Sequence, residues 1–294
     1  MGHLRGMAVF VAVAKHASFS GAAVSLGMSR PAVTRAIAAL EDRVGAQLIL
    51  RTTRSLALTQ AGDRYLEDAQ RILRAVDEAS AAARGSYSAP EGLLTLTAPV
   101  MFGRLHVMPV LRAFLEKEPK VRADVRLLDR VTNLVEDGFD VALRIGQLPD
   151  SGLMASKVGH VSRMVVGSPA YLERFGAPES PKALNDHRLI IQAGRRRWRF
   201  PGGERRVSPQ ITVNDVPAAL DLAKAGFGLA QVLSYQCAGA VKEGRLIPVL
   251  VDHQLPPIPV HLVFGGGRRI PGRVRAFVDY ATQALRDSAA KGWT

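Results

Sequence analysis

Apolar positions recur every three or four residues from the start of the chain to about residue 84, and then the rhythm changes. Leu4, Met7, Val11 and Ala14 mark one apolar face of a helix over residues 3–14. Ser18 has the chemistry of an N-cap for a second, short helix carrying Ala22, Ala23 and Leu26, and Gly27 that of its stop. Ser29 opens a third helix with Pro31 in its first turn. In SRPAVTRAIAALEDRVG, Val33, Ile37, Leu40 and Val44 are spaced 4, 3, 4. At ~100° per residue they fall within roughly 60° of arc, a single core stripe.

Pro31, Thr34, Arg35 and Ala38 lie away from that stripe, and Arg30 sits in the first turn. Short side chains with two arginines suit a helix that must enter a major groove ~12 Å wide. Arg can bond guanine through two hydrogen bonds, a Thr methyl can meet thymine, and first-turn N–H groups can hold a phosphate. A solvated helix face with two incidental arginines accounts for the pattern equally well. Two short apolar stretches, Leu48–Leu50 and Leu56–Leu58, then flank Arg51-Thr52-Thr53-Arg54, which reads as a β-hairpin with a basic tip.

Thr59 can cap a long helix from about Gln60 to Arg84. Tyr65, Ala69, Ile72, Val76, Ala79 and Ala83 follow a heptad seam, widened by Leu66 and Leu73. Such a helix would be about 37 Å long. The seam predicts helix-on-helix association, or else packing of one amphipathic helix on its own domain. GSYSAPE, residues 85–91, reads as a hinge. From Gly92, β-rich runs alternate with helical patterns: LLTLTAP and MPVLRAFLEKEP, VRADVRLLD and VTNLVEDG, then FDVALRIG, MVVGSP and AYLERFG. RLIIQA, ITVND with VPAALDLAKAG, GLAQVL with SYQCAGAVKEG, LIPVLV and PVHLVFG follow, and RVRAFVDYATQALRDSA is a final helix. This alternation predicts parallel βαβ units, with ligands at the carboxyl ends of strands.

Composition narrows the reading. The 294 residues are 47% hydrophobic and 22% charged, enough for two domains with cores. No stretch reaches the ~18 apolar residues of a membrane span. The single cysteine, Cys237, excludes an internal disulfide and a cysteine-based metal cluster, and it reads as a packed, inert thiol. The seven histidines are scattered, so neither metal nor cofactor is expected. No G-x-S-x-G, H-E-x-x-H or phosphate-loop motif occurs, and no enzyme activity is expected. Gly265-Gly266-Gly267 reads as a chain crossover. A net charge of +13 favours a polyanionic partner, and residues 1–60 hold seven Lys and Arg against two acids. Arg5 before the apolar run Met7–Ala14, with Ala12-Val13-Ala14, also has the outline of an export signal.

In order and without gaps, SFSGAA, LGMSRPAV, IAALEDRVGAQL, RTTR and LTQAG resemble the N-terminal winged helix-turn-helix of the LysR-type transcriptional regulators. The position of Arg30 is most often glutamine in that family, a departure that points to a different base being read. AP after the first strand, EDGFDVALRIG and AGFGLAQVLSYQ resemble the family's effector domain, itself similar to two-lobed periplasmic binding proteins. The resemblance makes residues 7–14 the first helix of a DNA-reading head. Cleavage after Ala14 would remove the helix on which the next two pack.

The resemblance implies an α+β multidomain chain. Residues 1–59 form the winged helix-turn-helix, 60–91 a linker and dimerisation helix with hinge, and 92–294 a two-lobed α/β effector domain. Lobe I would be 92–163 plus 265–294, and lobe II 164–264. Ser29, Arg30, Pro31, Thr34 and Arg35 would read double-stranded DNA, with Arg51, Thr52 and Arg54 on the backbone or minor groove. Dimers through the linker helix would meet an inverted repeat and pair into tetramers. A small-molecule effector would lie between the lobes against Val100, Met101, Phe102, Asp129, Arg130, Arg144, Gly146 and Asp215. Many family members carry Ser or Thr in the first of these loops to hold a carboxylate; here it is apolar. Arg130, Arg144 and the cluster Arg195-Arg196-Arg197-Trp198-Arg199 could restore an anion contact, although the cluster also reads as a solvated strand edge. The implied place of action is the cytoplasm. The rival readings are an architectural DNA-binding protein without effector and an exported solute-binding protein.

Overall fold

Ser18, Ser29 and Thr59 each end an irregular stretch by accepting a backbone N–H, and these three caps fix where the helices of the first unit begin. Gly21 N–H bonds Ser18 Oγ at 3.2 Å, Ala32 N–H bonds Ser29 Oγ at 3.4 Å, and Gly62 N–H bonds Thr59 Oγ1 at 2.8 Å. The structure is a computed structural model that describes residues 2–51, 56–83, 89–130, 132–134, 136–193, 197–266 and 270–293. The chain forms two compact units that divide between Ala89 and Pro90.

The first unit holds α1 (His3–His16), α2 (Phe19–Leu26), α3 (Arg30–Val44), the strands β1 (Ile49–Arg51) and β2 (Leu56–Leu58), and α4 (Gln60–Ala83). Gly27 and Gly45 close α2 and α3 in the left-handed region, at φ 61° and 72°. β1 and β2 pair antiparallel, with Ile49 opposite Leu58. The core joins Val9, Phe10 and Val13 of α1 to Ala22 and Ala23 of α2, to Val33, Ala36, Ile37 and Leu40 of α3, and to Leu48 and Ile49. The α3 stripe is the one the spacing predicts, with Val44 half-buried at its end.

For α1 the expected face is wrong. Leu4 is 41% exposed, and the buried positions are Gly6, Met7, Val9, Phe10 and Val13. A helix apolar on nearly every side does not announce its inner face; Phe10, the largest side chain, took it. The Glu41 carboxylate accepts the N–H groups of Leu48 (2.8 Å) and Ile49 (3.0 Å) and so ties α3 to the hairpin. Gly62 seats α4 closely, because a Cβ there would stand 2.1 Å from Leu48 O. Of the α4 seam, Ala69 is buried, Tyr65, Leu66, Ile72 and Leu73 are half-buried, and Val76 is exposed. The side chains of Ala79 and Ala83 lie outside the described residues.

The second unit runs through β3 (Gly92–Ala98), α5 (Val100–Phe102), a π-helical turn at Gly103–Val107, α6 (Met108–Lys117), β4 (Val121–Leu127), β5 (Val141–Ile145) and β6 (Leu153–Val161). It continues with β7 (Arg163–Gly167), α7 (Pro169–Phe175), β8 (Leu189–Gln192), β9 (Arg197–Phe200), β10 (Gly203–Arg206), β11 (Ile211–Val213) and α8 (Val216–Lys224). The last elements are β12 (Leu229–Leu233), α9 (Ser234–Lys242), β13 (Ile247–Val249), β14 (Ile258–Gly265) and α10 (Gly272–Ala290). One five-stranded sheet has the order β4-β3-β5-β14-β6 and the other β11-β8-β12-β7-β13. These are the two lobes.

Each sheet is parallel except for one strand, the first after a crossover. β7 runs against β12 and β13, and β14 against β5 and β6. The alternating pattern had implied parallel strands throughout. The second crossover also falls earlier than Gly265: β14 belongs to the first sheet, so the chain has already returned to lobe I by Ile258. PVHLVFG looks like any buried strand, and only its partners tell which sheet owns it. VTNLVEDG does not form a helix; the described residues of 132–140 are turns. β6 and the β9–β10 hairpin were not foreseen. β6 is an edge strand with irregular burial, and the hairpin is mostly charged, so neither shows an apolar alternation.

A buried polar cluster ties lobe I together. Asp140 Oδ2 accepts from Thr95 N–H at 2.8 Å and from Thr95 Oγ1 at 3.0 Å, while Asp140 Oδ1 stands 3.7 Å from the Arg273 guanidinium. Arg273 Nε donates to Leu93 O at 2.7 Å. The carboxylate of EDGFD therefore holds β3, β5 and α10 in register.

Candidate functional site

The caps and stripe of α3 decide what it offers outward. With Val33, Ala36, Ile37 and Leu40 buried, Arg30, Pro31 and Arg35 are exposed and Thr34 is half-exposed. Ser29 spends its hydroxyl on the cap, which leaves it a structural role in the first turn. The five expected residues of this helix thus share one end and one side of a single element. Arg51 is placed by its backbone in β1, and its side chain, Thr52 and Arg54 lie outside the described residues.

The second unit contains a cleft of about 1190 Å3 walled by both lobes. Val100, Met101, Asp129, Arg130, Arg144 and Gly146 line it from the first lobe and Asp215 from the second. Phe102 does not. It is fully buried in the lobe I core, edge-on to Tyr235 at 5.0 Å and to Trp293 at 4.8 Å. It starts the helical turn with Val100 and Met101, and a helix points consecutive side chains in different directions. Gly146 has φ 134°, a conformation that a side chain strains.

The two cleft acids are already engaged. Asp129 Oδ1 accepts Val100 N–H at 3.0 Å, and Asp215 Oδ2 caps α8 by accepting Ala218 N–H at 3.0 Å. An incoming carboxylate therefore cannot take the Val100 N–H, and the apolar Val100 side chain offers it nothing. The cationic side chains lie elsewhere on the wall: Arg104, Arg130, Arg144, Arg163 and Arg199. Arg144 donates to Thr132 O, and Arg199 Nε meets Glu204 Oε1 at 2.8 Å. Of the arginine cluster, Arg199 reaches the cleft, Arg197 is exposed beside Glu204, Trp198 is buried, and Arg195 and Arg196 lie outside the described residues.

Several wall residues escape sequence reasoning: Thr97, Arg104, Arg163, Gln192, Gln231 and Gln236. Thr97, Gln192 and Gln231 are polar interruptions in otherwise apolar strands, a signal that could have found them. Arg104 and Arg163 carry no such mark. Cys237 is buried, and burial pushes its thiol up to about 11, which keeps it protonated and unreactive. Among the described residues no cluster of metal-ligating side chains occurs, and no helix is long and apolar enough to cross a membrane.

A capped helix-turn-helix with a basic outer face, joined in one chain to a two-lobed domain with an internal cleft, defines a DNA-reading regulator of the ligand-responsive kind. Residues 4–63 match the bacterial regulatory helix-turn-helix of the lysR family, and residues 88–286 match the LysR substrate binding domain. The chain belongs to the LysR family of transcriptional regulators. It is a transcriptional regulator with a DNA-binding helix-turn-helix and an effector-binding domain. An HTH-type transcriptional regulator of Xanthomonas campestris is 37% identical over 96% of this chain and 85% of its own length. An HTH-type transcriptional repressor of Pseudomonas aeruginosa is 32% identical over 98% of this chain and 94% of its own. The structure of CrgA, a LysR-type regulator from Neisseria meningitidis, superposes with a TM-score of 0.61 at 30% identity, covering 96% of this chain and 98% of that one.

Proposed function

We propose that the protein reads an inverted-repeat operator in the cytoplasm as a dimer joined along α4, with dimers pairing into tetramers. Ser29, Arg30, Pro31, Thr34 and Arg35 form the major-groove surface. The RTTR segment, through Arg51, Thr52 and Arg54, holds the adjacent backbone or minor groove. The observation that carries this reading is the exposed basic first turn of α3, set opposite a fully buried stripe. The exposed Val76 on the seam of α4 supports the dimer, since a partner helix would cover it.

The effector is a small anion with an apolar body. Its charge is met by arginines of the cleft, Arg144 foremost, because the first loop presents Val100 and Met101 and its free N–H is already taken by Asp129. A ligand moves the regulator between two states only by its difference in affinity for them.

The test is recovery of sheared genomic DNA on the purified protein at ~150 mM salt, where non-specific phosphate binding is weakened. A few intergenic sites that share an inverted repeat are expected. Even recovery across the genome would put an architectural DNA-binding protein in its place. Arg54→Ala should weaken all sequences alike and lower the salt slope by about one.

A further inference from the structure

Beside the main cleft lies a second cavity of about 660 Å3. Met101, Arg104, Pro217, Tyr235 and Gln236 line both, so these side chains stand between the two spaces. The second cavity has walls of its own: Leu105, His106 and Trp293 on one side, and Leu220, Gly239 and Lys242 on the other.

His106 is the unusual member. It is 8% exposed and sits among rings, with centroids 4.8 Å from Phe102, 5.0 Å from Trp293 and 5.9 Å from Tyr235. Its Nε2 is buried and has no hydrogen-bond partner. A buried polar atom left unpaired is costly, and native proteins keep few of them. The backbone goes out of its way to put this one there. Met108 N–H bonds Gly103 O across five residues, a π-helical turn of the kind that marks functional sites. The backbone also presses close to β4 at Gly103, where a Cβ would come within 2.4 Å of Leu127 Cδ2.

The charge of this cavity is uncommitted and positive. Lys224 pairs with Asp221 at 2.5 Å, and Arg245 pairs with Glu243. Arg104 and Lys242 have no carboxylate partner among the described residues. Burial lowers His106 to about 4, so its imidazole is neutral and Nε2 can carry a proton to donate.

We propose that this second cavity is a separate binding site for a small aromatic carboxylate, whose ring lies against Trp293 and whose carboxylate meets Arg104, Lys242 and the unpaired Nε2 of His106. The site is independent of the effector cleft, and its existence does not rest on what the cleft binds. Its occupant would touch the five side chains that also wall that cleft.

Phenylacetate is the probe. The chain has two tryptophans, and only Trp293 lines the cavity; Trp198 is buried in the second-lobe core. In the full chain carrying Trp198→Phe, phenylacetate should change Trp293 emission saturably, with Kd roughly millimolar or tighter. Gly239 lies in α9, and a Cβ there meets nothing within 4 Å, so Gly239→Phe can plug the cavity without disturbing the helix. It should abolish the change. Lys242→Glu should weaken binding by about tenfold or more, and Arg144→Gln, which touches only the main cleft, should leave it intact. Heat of binding to the unsubstituted protein, compared with Gly239→Phe alone, gives the same answer without Trp198→Phe: the plugged chain should lose one site. No saturable signal up to about 10 mM, where binding weaker than millimolar ends any claim of specificity, would overturn the site. So would unchanged binding after Gly239→Phe, or loss after Arg144→Gln.

Discussion

Every described side chain proposed to read DNA leaves one helix within seven consecutive positions, Ser29 to Arg35, whereas the walls of the effector cleft come from places as distant in the chain as Val100 and Asp215. The first surface needs only a helix, a cap and a buried opposite face, all of which are local. The second needs two sheets, two crossovers and the particular ends of several strands. The difference also shows in how each handles charge. The α3 arginines stand in solvent. Both cleft carboxylates are spent on backbone N–H groups, at Val100 and at Ala218, and the remaining charge of that wall is basic.

If the two units are energetically separate, damage to one should spare the other. Phe10 and Phe102 are both fully buried, one in each unit. Phe10→Ala should cost ~3–5 kcal/mol in the first unit and Phe102→Ala a similar amount in the second. Calorimetry should show a different transition moving in each case; one transition that moves as a whole for both would join the units into a single folding body. Next in size, Arg144→Gln should weaken the response to an anionic effector by ~1.5–3 kcal/mol, the worth of a charged hydrogen bond. An unchanged response would remove Arg144 from the site. Arg35→Ala should lower specific DNA affinity by ~1–3 kcal/mol while ligand binding stays as it was. Sequence preference that survives the change would take α3 out of the groove.

Acid should act on the second unit through His106. Its folded value is depressed to about 4 from an unfolded value of 6.5, so the stability it contributes is whole above 6.5. Below that the unfolded chain binds a proton that the native chain refuses, and stability falls by up to ~1.4 kcal/mol per pH unit until about 4. His187 and His261 are lowered too, chiefly by burial, and add slopes of the same sign. His106→Phe should flatten the profile between 6.5 and 4; an unaltered slope would mean that the imidazole reaches water. The smallest effect is expected at the cap: Ser29→Ala should cost ~1 kcal/mol, read as a lower melting temperature of the first unit alone.

The legibility of the chain follows the same division. Ser18, Ser29 and Thr59 cap helices because a hydroxyl two or three residues ahead of a free N–H is a local event. The stripe from Val33 to Leu40 is legible because it is interrupted by polar side chains, and the inner face of α1 is not, because almost nothing interrupts it. Val100, Met101, Arg144 and Asp215 could be placed in the cleft from strand ends and turns. Phe102 could not be told from its neighbours, since a rotation of one residue along a short helix separates the cleft from the core. Arg104 and Arg163 were invisible, because nothing in their flanking residues records which sheet faces which.

By itself the sequence determined the helix boundaries, the buried stripe of α3 and its basic outer face. Those depend on spacings of three and four residues and on hydrogen bonds within a turn. It also carried motifs specific enough to mark the family. Only the tertiary structure decided that β14 returns to the first sheet, that β7 and β14 run against their neighbours, and that Asp140 and Arg273 meet inside lobe I. The same holds for the unpaired His106 Nε2, held against Trp293 at the far end of the chain. Such meetings join residues scores of positions apart, and the pattern along a chain records what each residue prefers around it, not which distant partner supplies it.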